Sequence, residues 1–398
     1  MSAMKIGVGS RTARPVARAE AVGSLLRPKA ITDLFDKIYE GVTTALRPYA
    51  LSEKLLQLRA LNKAADAEIT RLVQRQIDAG LDVVSDGELR RPSFLSSFYD
   101  ATDGLGVAEK VWEIRNERGE VTYTALADPD VYSRLRKASS PLAEESTFLR
   151  SITDYPFKVT LPAPSYFYTQ FIATPRKDYT DRQQLVDDVV EIERSMVAEA
   201  IAAGANWIQF DFPVYPALVD EDYTSKMLKE ARLANRDTLL TRALTADREV
   251  TRSIPPSVTV GLHLCRGNTE GGFWNGSLAP IAERMFGELP HGRFLVEWEN
   301  IEREGDYQPI KYVPKGRIMV MGLVSTKKTR IENADELTGR LESAARYLDM
   351  GQLALGTQCG FASICGDHLV RAEDVQWRKL EVIGRVADRI WPRPQAQQ

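Results

Sequence analysis

Residues 260–268 read VGLHLCRGN and place His263 and Cys265 two positions apart at the end of an apolar run. On a strand, side chains two apart share a face. The chain has only 3 histidines and 3 cysteines among its 398 residues, so the pairing stands out. An imidazole and a thiolate are good zinc ligands, and both types also pack well inside a core strand. Cys359, in GTQCG, and a glutamate of VEWE, Glu297 or Glu299, would complete an N, S, S, O set of the kind tetrahedral zinc takes. These residues are far apart in sequence, so a site exists only if the fold brings them together.

The elements needed for that are legible. Eight short, nearly continuous apolar runs recur: AEAVG (19–23), LDVVS (81–85), FKVTL (157–161), WIQFD (207–211), VTVGLHL (258–264), RFLVEW (293–298), IMVMGLV (318–324) and LALGT (353–357). Such runs fit buried parallel strands. Helical periodicity fills several of the gaps between them. One helix spans 51–80 and ends on Gly80, one spans 181–205 from the N-cap candidate Asp181 to Gly204, and one runs from Asn333 to Gly351. This rhythm predicts an α/β fold, a (β/α)8 TIM barrel, with a doubly wound open sheet as the alternative. VWEIRNERGEVTYTA, two alternating runs around Gly119, predicts a β-hairpin. It is read as an excursion after strand 2, within an insertion at about residues 101–156, so that residues 1–398 form a single catalytic barrel.

In such a barrel the chemistry sits at the C-terminal ends of the strands. Those ends give Val22-Gly23-Ser24, then Ser85 to Glu88, Asp211, His263 with Cys265, Glu297 with Glu299, and finally Cys359. His291 is read as a solvated loop histidine, His368 as belonging to a helix N-terminus, and Cys365 as a packing residue. KKTR (327–330) is read as a solvated face that could also meet an anionic substrate group.

The bulk composition excludes several functions. The apolar content of 43% and charged content of 27% are ordinary for a globular chain, and the net charge of −3 gives no pull toward nucleic acid or anionic membrane. No apolar run approaches the ~20 residues of a membrane helix. Three cysteines argue against a disulfide scaffold and for a reducing, cytoplasmic setting. Arg11, Arg14 and Arg18 suggest a frayed basic terminus, and WPRPQAQQ a loose tail. Homo-oligomer formation is left open.

Taken in order, VGS, SDGE, IQFDFP, HLC, VE and CG resemble the catalytic barrel of cobalamin-independent methionine synthase over about residues 18–375. The resemblance is nearer to its short single-barrel relatives, which carry VGSLLRP and H-x-C-R-G-N. It implies zinc held by His263, Cys265, Glu297 and Cys359, with no catalytic residue beyond that site. It also implies that Glu88 and Asp211 hold the amino group of homocysteine and that Gly23 and Ser24 hold its carboxylate. The implied reaction moves a methyl group onto the homocysteine thiol, as in methionine biosynthesis. Three departures concern the donor. Pro164 stands near the place of the family's folate-stacking tryptophan, D-F-P replaces D-E-P, and GLVSTKKTR lacks the family's histidine. The expected alkyl donor is therefore not a polyglutamyl folate but a methylated corrinoid protein, a small methyl donor or an electrophile such as an epoxide. Two other readings stay open: a zinc enzyme joining a different thiol to an epoxide, and a non-catalytic barrel that binds thiols or amino acids.

Overall fold

The structure, a computed structural model, describes residues 5–6, 12–39, 55–106, 111–115, 121–126, 130–170, 178–230, 235–268, 274–364 and 372–394. Its strands are β1 (Ala19–Glu20), β2 (Thr102–Gly106), β3 (Val111–Arg115), β4 (Val121–Leu126), β5 (Asp130–Lys137), β6 (Val159–Pro162), β7 (Trp207–Asp211), β8 (Thr259–Leu264), β9 (Arg293–Glu297), β10 (Ile318–Val324) and β11 (Leu353–Thr357). Seven of them form one sheet in the order β1-β11-β10-β9-β8-β7-β6, and every pairing in it is parallel.

The eighth stave closes the ring without being a regular strand. Asp82 donates its N–H to the Ala19 carbonyl at 2.8 Å, Val84 donates to Pro156 at 3.0 Å, and Lys158 donates back to Val84 at 2.9 Å. LDVVS was expected to be a full strand. It is shorter because the Asp82 carboxylate takes over ladder partners, accepting the N–H groups of Arg18 at 2.8 Å and Ala19 at 3.1 Å. The result is the expected (β/α)8 TIM barrel.

The helices begin where the sequence places caps. Asp181 accepts from the Gln183 N–H ahead of Arg182–Ala202, and Asn333 accepts from the Asp335 and Glu336 N–H groups ahead of Ala334–Ala344. Gly80 and Gly204 follow their helices with φ of 92° and 105°, a conformation only glycine adopts without strain. The third helix ends at Ala344, not at Gly351, which lies in a 3-10 turn over Met350–Gln352. The hairpin is present: β3 pairs antiparallel with β4 in the register Trp112↔Ala125, and β2 pairs antiparallel with β5. Among the described residues, no helix is long and apolar enough to cross a membrane.

Three expectations fail at the bottom of the barrel. Arg14 and Arg18 are buried, not frayed. The Arg14 guanidinium grips both Asp82 oxygens at 2.9 and 2.7 Å, while Arg18 donates to the carbonyls of Leu353 and Gly351. Arg11 lies outside the described residues. The start of the tail is anchored as well. Arg393 reaches Asp82 at 2.9 Å, and the Trp391 indole donates to Met350 at 3.1 Å. His291 is fully buried, edge-on to Phe210 at 5.9 Å, and neither ring nitrogen has a hydrogen-bond partner among the described residues. Burial, with Arg317 nearby, pushes its pKa down to about 3, so it packs as a neutral ring.

Asp82 therefore ties both ends of the chain to the closing stave. Asp82→Ala is expected to leave Arg14 and Arg393 with Asp388 as their remaining carboxylate and to cost about 3–5 kcal/mol, the range for breaking a buried pair. Urea titration of the wild type and the variant checks this, and a loss below about 1 kcal/mol would assign Asp82 an exposed-pair role instead.

Candidate metal centre and substrate site

The strand ends bring the two thiols and the imidazole together. His263 stands near the end of β8, Cys265 just beyond it and Cys359 just beyond β11, and all three are buried. Their ligand atoms lie within 4.8 Å of one another, and the two sulfurs are 3.5 Å apart. Two thiolates on a tetrahedral zinc, each bound at ~2.3 Å, stand about 3.8 Å apart, so the observed spacing suits such an ion. His263 Nδ1 donates to the Leu295 carbonyl at 3.2 Å. A carbonyl only accepts, so the proton is on Nδ1 and Nε2 keeps a lone pair. That Nε2 is buried and has no hydrogen-bond partner among the described residues, as a metal ligand would be. The donor set fits a zinc-type ion.

The loops carrying the sulfurs are knotted together. Asn268 donates to the Gly360 carbonyl at 2.8 Å and the Ser363 hydroxyl at 3.1 Å. The Ser363 oxygen is itself 3.5 Å from Cys359 Sγ, and Gly267 N–H lies 3.3 Å from Cys265 Sγ. Without a metal the pair shares a proton. The hydrogen bond from Cys265 holds Cys359 well below the ordinary thiol range despite burial, with His263 helping. The same hydrogen bond, and then burial, pushes Cys265 well above that range. Burial opposes the charged form of His263, but Cys359 beside it raises its pKa on balance.

Glu297 stands outside the three-residue group. Its Oε1 accepts from Lys327 at 2.8 Å and pairs with Arg303, and its Oε2 accepts the Arg266 N–H at 2.9 Å. Its charge still reaches Cys265. Glu299 lies 3.5 Å from Lys327 and 3.7 Å from Arg303. Lys327 corrects the solvated reading of KKTR: it is buried between these carboxylates, and only 328–330 are exposed. Cys365 and His368 lie outside the described residues.

The second half of the site faces these donors. Glu88 is buried with φ +58°. Its Oε1 accepts from Thr160 Oγ1 at 3.1 Å and lies 3.3 Å from Arg91, while Oε2 has no partner among the described residues. The neighbouring Arg90 pairs with Asp66. Gly23 lets Glu88 approach, since a Cβ there would sit 2.5 Å from Glu88 Oε1. Asp211 accepts from Gln209 Nε2 at 2.8 Å. Burial pushes its pKa up to about 7, with His263 opposing and Glu88 adding to the rise. Ser24 Oγ accepts the Ala362 N–H at 3.3 Å and its carbonyl accepts the Phe361 N–H at 2.9 Å, so Ser24 is joined to the Cys359 loop. All the rim residues proposed from sequence thus converge on one end of the barrel.

Sequence reasoning missed Asn268, Arg91, Thr160, Gln209 and Lys327. Asn268 and Arg91 sit inside quoted or adjoining motifs and were within reach. The role of Lys327 depends on Glu297, which no local pattern reveals. Also missed was an aromatic wall: Phe212 stacks on Trp274 at 4.9 Å and meets Phe94 edge-on at 5.6 Å.

The shared proton gives a spectroscopic expectation. Metal-free protein should show roughly one thiolate at neutral pH, below the ~8.5 of an ordinary cysteine, and lose its ultraviolet absorbance as the pH falls. Cys359→Ser should abolish that absorbance. Cys265→Ala, which removes the donor, should move its titration up toward the ordinary range.

The sequence model for the family described as cobalamin-independent synthase, catalytic domain, matches residues 43–273. An uncharacterized protein of Bacillus subtilis is 29% identical over 95% of this chain and 96% of its own length. A methionine synthase of Sulfurisphaera tokodaii is 23% identical over 87% and 86%. A B12-independent methionine synthase from Shewanella sp. W3-18-1, solved in complex with selenomethionine, superposes with a TM-score of 0.69 at 19% identity, covering 94% of this chain and 97% of that one. Matched by the family model over most of its length and carrying the barrel of such synthases, the chain belongs to the cobalamin-independent synthase catalytic-domain family.

Proposed function

We propose that this chain is a zinc-dependent transferase that moves a methyl group onto the thiol of homocysteine, from a donor other than a polyglutamyl folate. The observation that carries this reading is the convergence of the unpartnered His263 Nε2 with Cys265 and Cys359 within 4.8 Å. In this reading Glu297 is the fourth ligand, released from Lys327 and Arg303 to reach the ion. When bound, zinc supplies the deprotonation of an incoming thiol at neutral pH, where a free thiol is mostly protonated.

The chain's own residues do the rest. Glu88 and Asp211 take the substrate ammonium by charge-assisted hydrogen bonds. Glu88 Oε2, buried and without a partner among the described residues, is the acceptor such a group would satisfy. The backbone and hydroxyl at Gly23 and Ser24 receive the carboxylate. Because Ser24 is bonded to the Cys359 loop, the amino acid and the sulfurs are held in one frame, which places the thiol for in-line attack on a carbon. Selenomethionine in the Shewanella relative is a methylated amino acid of the kind this pocket would release. A thiol lacking an amino group would leave Glu88 Oε2 buried and unsatisfied, which favours homocysteine over other thiols.

The donor side rests on the departures in the sequence. Pro164 begins a 3-10 turn and Phe212 presents an aromatic face. Lys327 also meets Glu299 at 3.5 Å, a partner it keeps when Glu297 turns to the ion. This points to a compact or protein-borne donor, a methylated corrinoid protein among them.

Purified protein is expected to carry about one zinc ion per chain, the stoichiometry of a single four-ligand site. Cys265→Ser and Cys359→Ser should each remove both metal and methyl transfer. Metal analysis combined with a donor screen (methylcobalamin, methylfolates with one and several glutamates, methylated thiols) tests this. Methyl transfer by a metal-free Cys265→Ser protein would refute it. Glu88→Gln should weaken homocysteine binding ~10- to 100-fold, as for a lost hydrogen bond to a charged group.

A further inference from the structure

We propose that Gln209 and Lys158 are positioning residues that set the distance between the two ends of the amino-acid pocket. The proposal rests on the reading of Gly23–Ser24 and Asp211 as those ends. Gln209 lies in the middle of β7, fully buried, with its side chain inside the barrel. Its Oε1 accepts from Lys158 Nζ at 2.7 Å. An ammonium group only donates, so the amide oxygen must face Lys158 and both N–H bonds must point the other way. One goes to the Val22 carbonyl and one to Asp211 Oδ1, each at 2.8 Å. A single amide therefore joins the backbone before Gly23 to the carboxylate of Asp211.

Nothing in the sheet ladder fixes that span. The stave at 82–84 and β6 both lie between β1 and β7 on the closing side of the barrel. The amide is the direct link, and Lys158 decides which way round it stands. Lys158 is in turn fixed from below. It donates to Glu20 Oε2 at 3.0 Å, and Glu20 Oε1 accepts from Arg293 Nη2 at 2.6 Å. Arg293 Nη2 also donates to the Ala17 carbonyl at 2.9 Å. With Asp211 ionised, as it would be when it holds an ammonium, the column sets Lys158 and Arg293 against Glu20 and Asp211 and is neutral. Replacing Lys158 by a residue that does not donate would leave the amide oxygen buried without its donor, and would loosen the amide's hold on Val22 and Asp211.

Calorimetry on the full chain as purified tests this, using homocysteine and its des-amino analogue, which keeps the thiol and the carboxylate. The wild type should prefer homocysteine. Gln209→Met and Lys158→Met should each cut that preference by ~10-fold or more, the scale of a lost hydrogen bond to a charged group. Lys158→Arg, which keeps a donor, should restore most of it. Gln209→Met leaves the Lys158–Glu20 pair in place, so it decides the matter if Lys158→Met fails to fold. A folded Gln209→Met protein with the wild-type preference, or one that loses both ligands equally, overturns the positioning role and leaves the homocysteine reading intact. A wild type with no preference sinks the homocysteine reading, and the proposal with it.

Discussion

A charge inside a barrel needs a partner there, because an isolated ion in a protein interior costs several kcal/mol. This chain fills its barrel with charge. Glu20, Lys158, Arg293, Glu88, Arg91 and Asp211 are all buried, where many barrels carry branched apolar side chains. Their pairing constrains the rest of the structure. Lys158 and Arg293 share Glu20 from two strands, and Arg91 lies between Glu88 and Glu145. A small displacement of β1 or β9, or of the start of β6, would separate at least one pair. The strand ends above them are thus held by electrostatics as well as by the parallel ladder, and those ends carry the site.

The same logic joins the two halves of the site. Gly360 packs so tightly on Ser24 that a Cβ there would stand 2.0 Å from Ser24 Oγ. Asn268 binds the same loop from the β8 side. The residue after Cys265 and the residues around Cys359 therefore cannot shift independently of the β1 end. The chemical consequence lies in the thiols. Two sulfurs at 3.5 Å cannot both ionise freely without a cation, so the pair keeps at least one proton. A divalent ion would displace that proton and relieve the repulsion, which couples metal affinity to pH.

The sequence made the parts with local causes legible. WIQFD, IMVMGLV and LALGT are strands over the expected residues, because both faces of a parallel barrel strand are buried and the apolar run has no reason to alternate. Asp181 and Asn333 cap helices for an equally local reason. What failed depended on distant partners. Arg14 looks like a loose basic terminus until Asp82, from another element, accepts it. His291 looks solvated until Phe210 and Phe294 close around it. The candidate donors His263, Cys265 and Cys359 come together because spacing along one strand placed two of them and the barrel rule placed the third. The ion pairs of Glu297 were not found, since Lys327 comes from the segment after β10 and Arg303 from the short helix Ile301–Glu304 that turns back on the strand end.

Backbone strain at the rim follows the same pattern. Among the described residues Glu88 and Phe212 alone have positive φ without being glycine, both at +58°, and for a bulky side chain this costs roughly 1–2 kcal/mol. Each is over-determined by its neighbours. The Glu88 N–H donates to Asp86 Oδ1 at 2.8 Å, and its carbonyl accepts from Arg27 at 3.1 Å. The Phe212 N–H donates to the His263 carbonyl at 3.0 Å, and its ring lies on Trp274. One strained residue is itself a pocket carboxylate and the other follows one, Asp211. The left-handed turn at Glu88 carries its carboxylate to within contact of Gly23, which an extended chain leaving the 82–84 stave would carry past. The strain is thus met once, on folding, and the carboxylates stand in place before any ligand arrives. A pocket built this way loses little conformational freedom on binding.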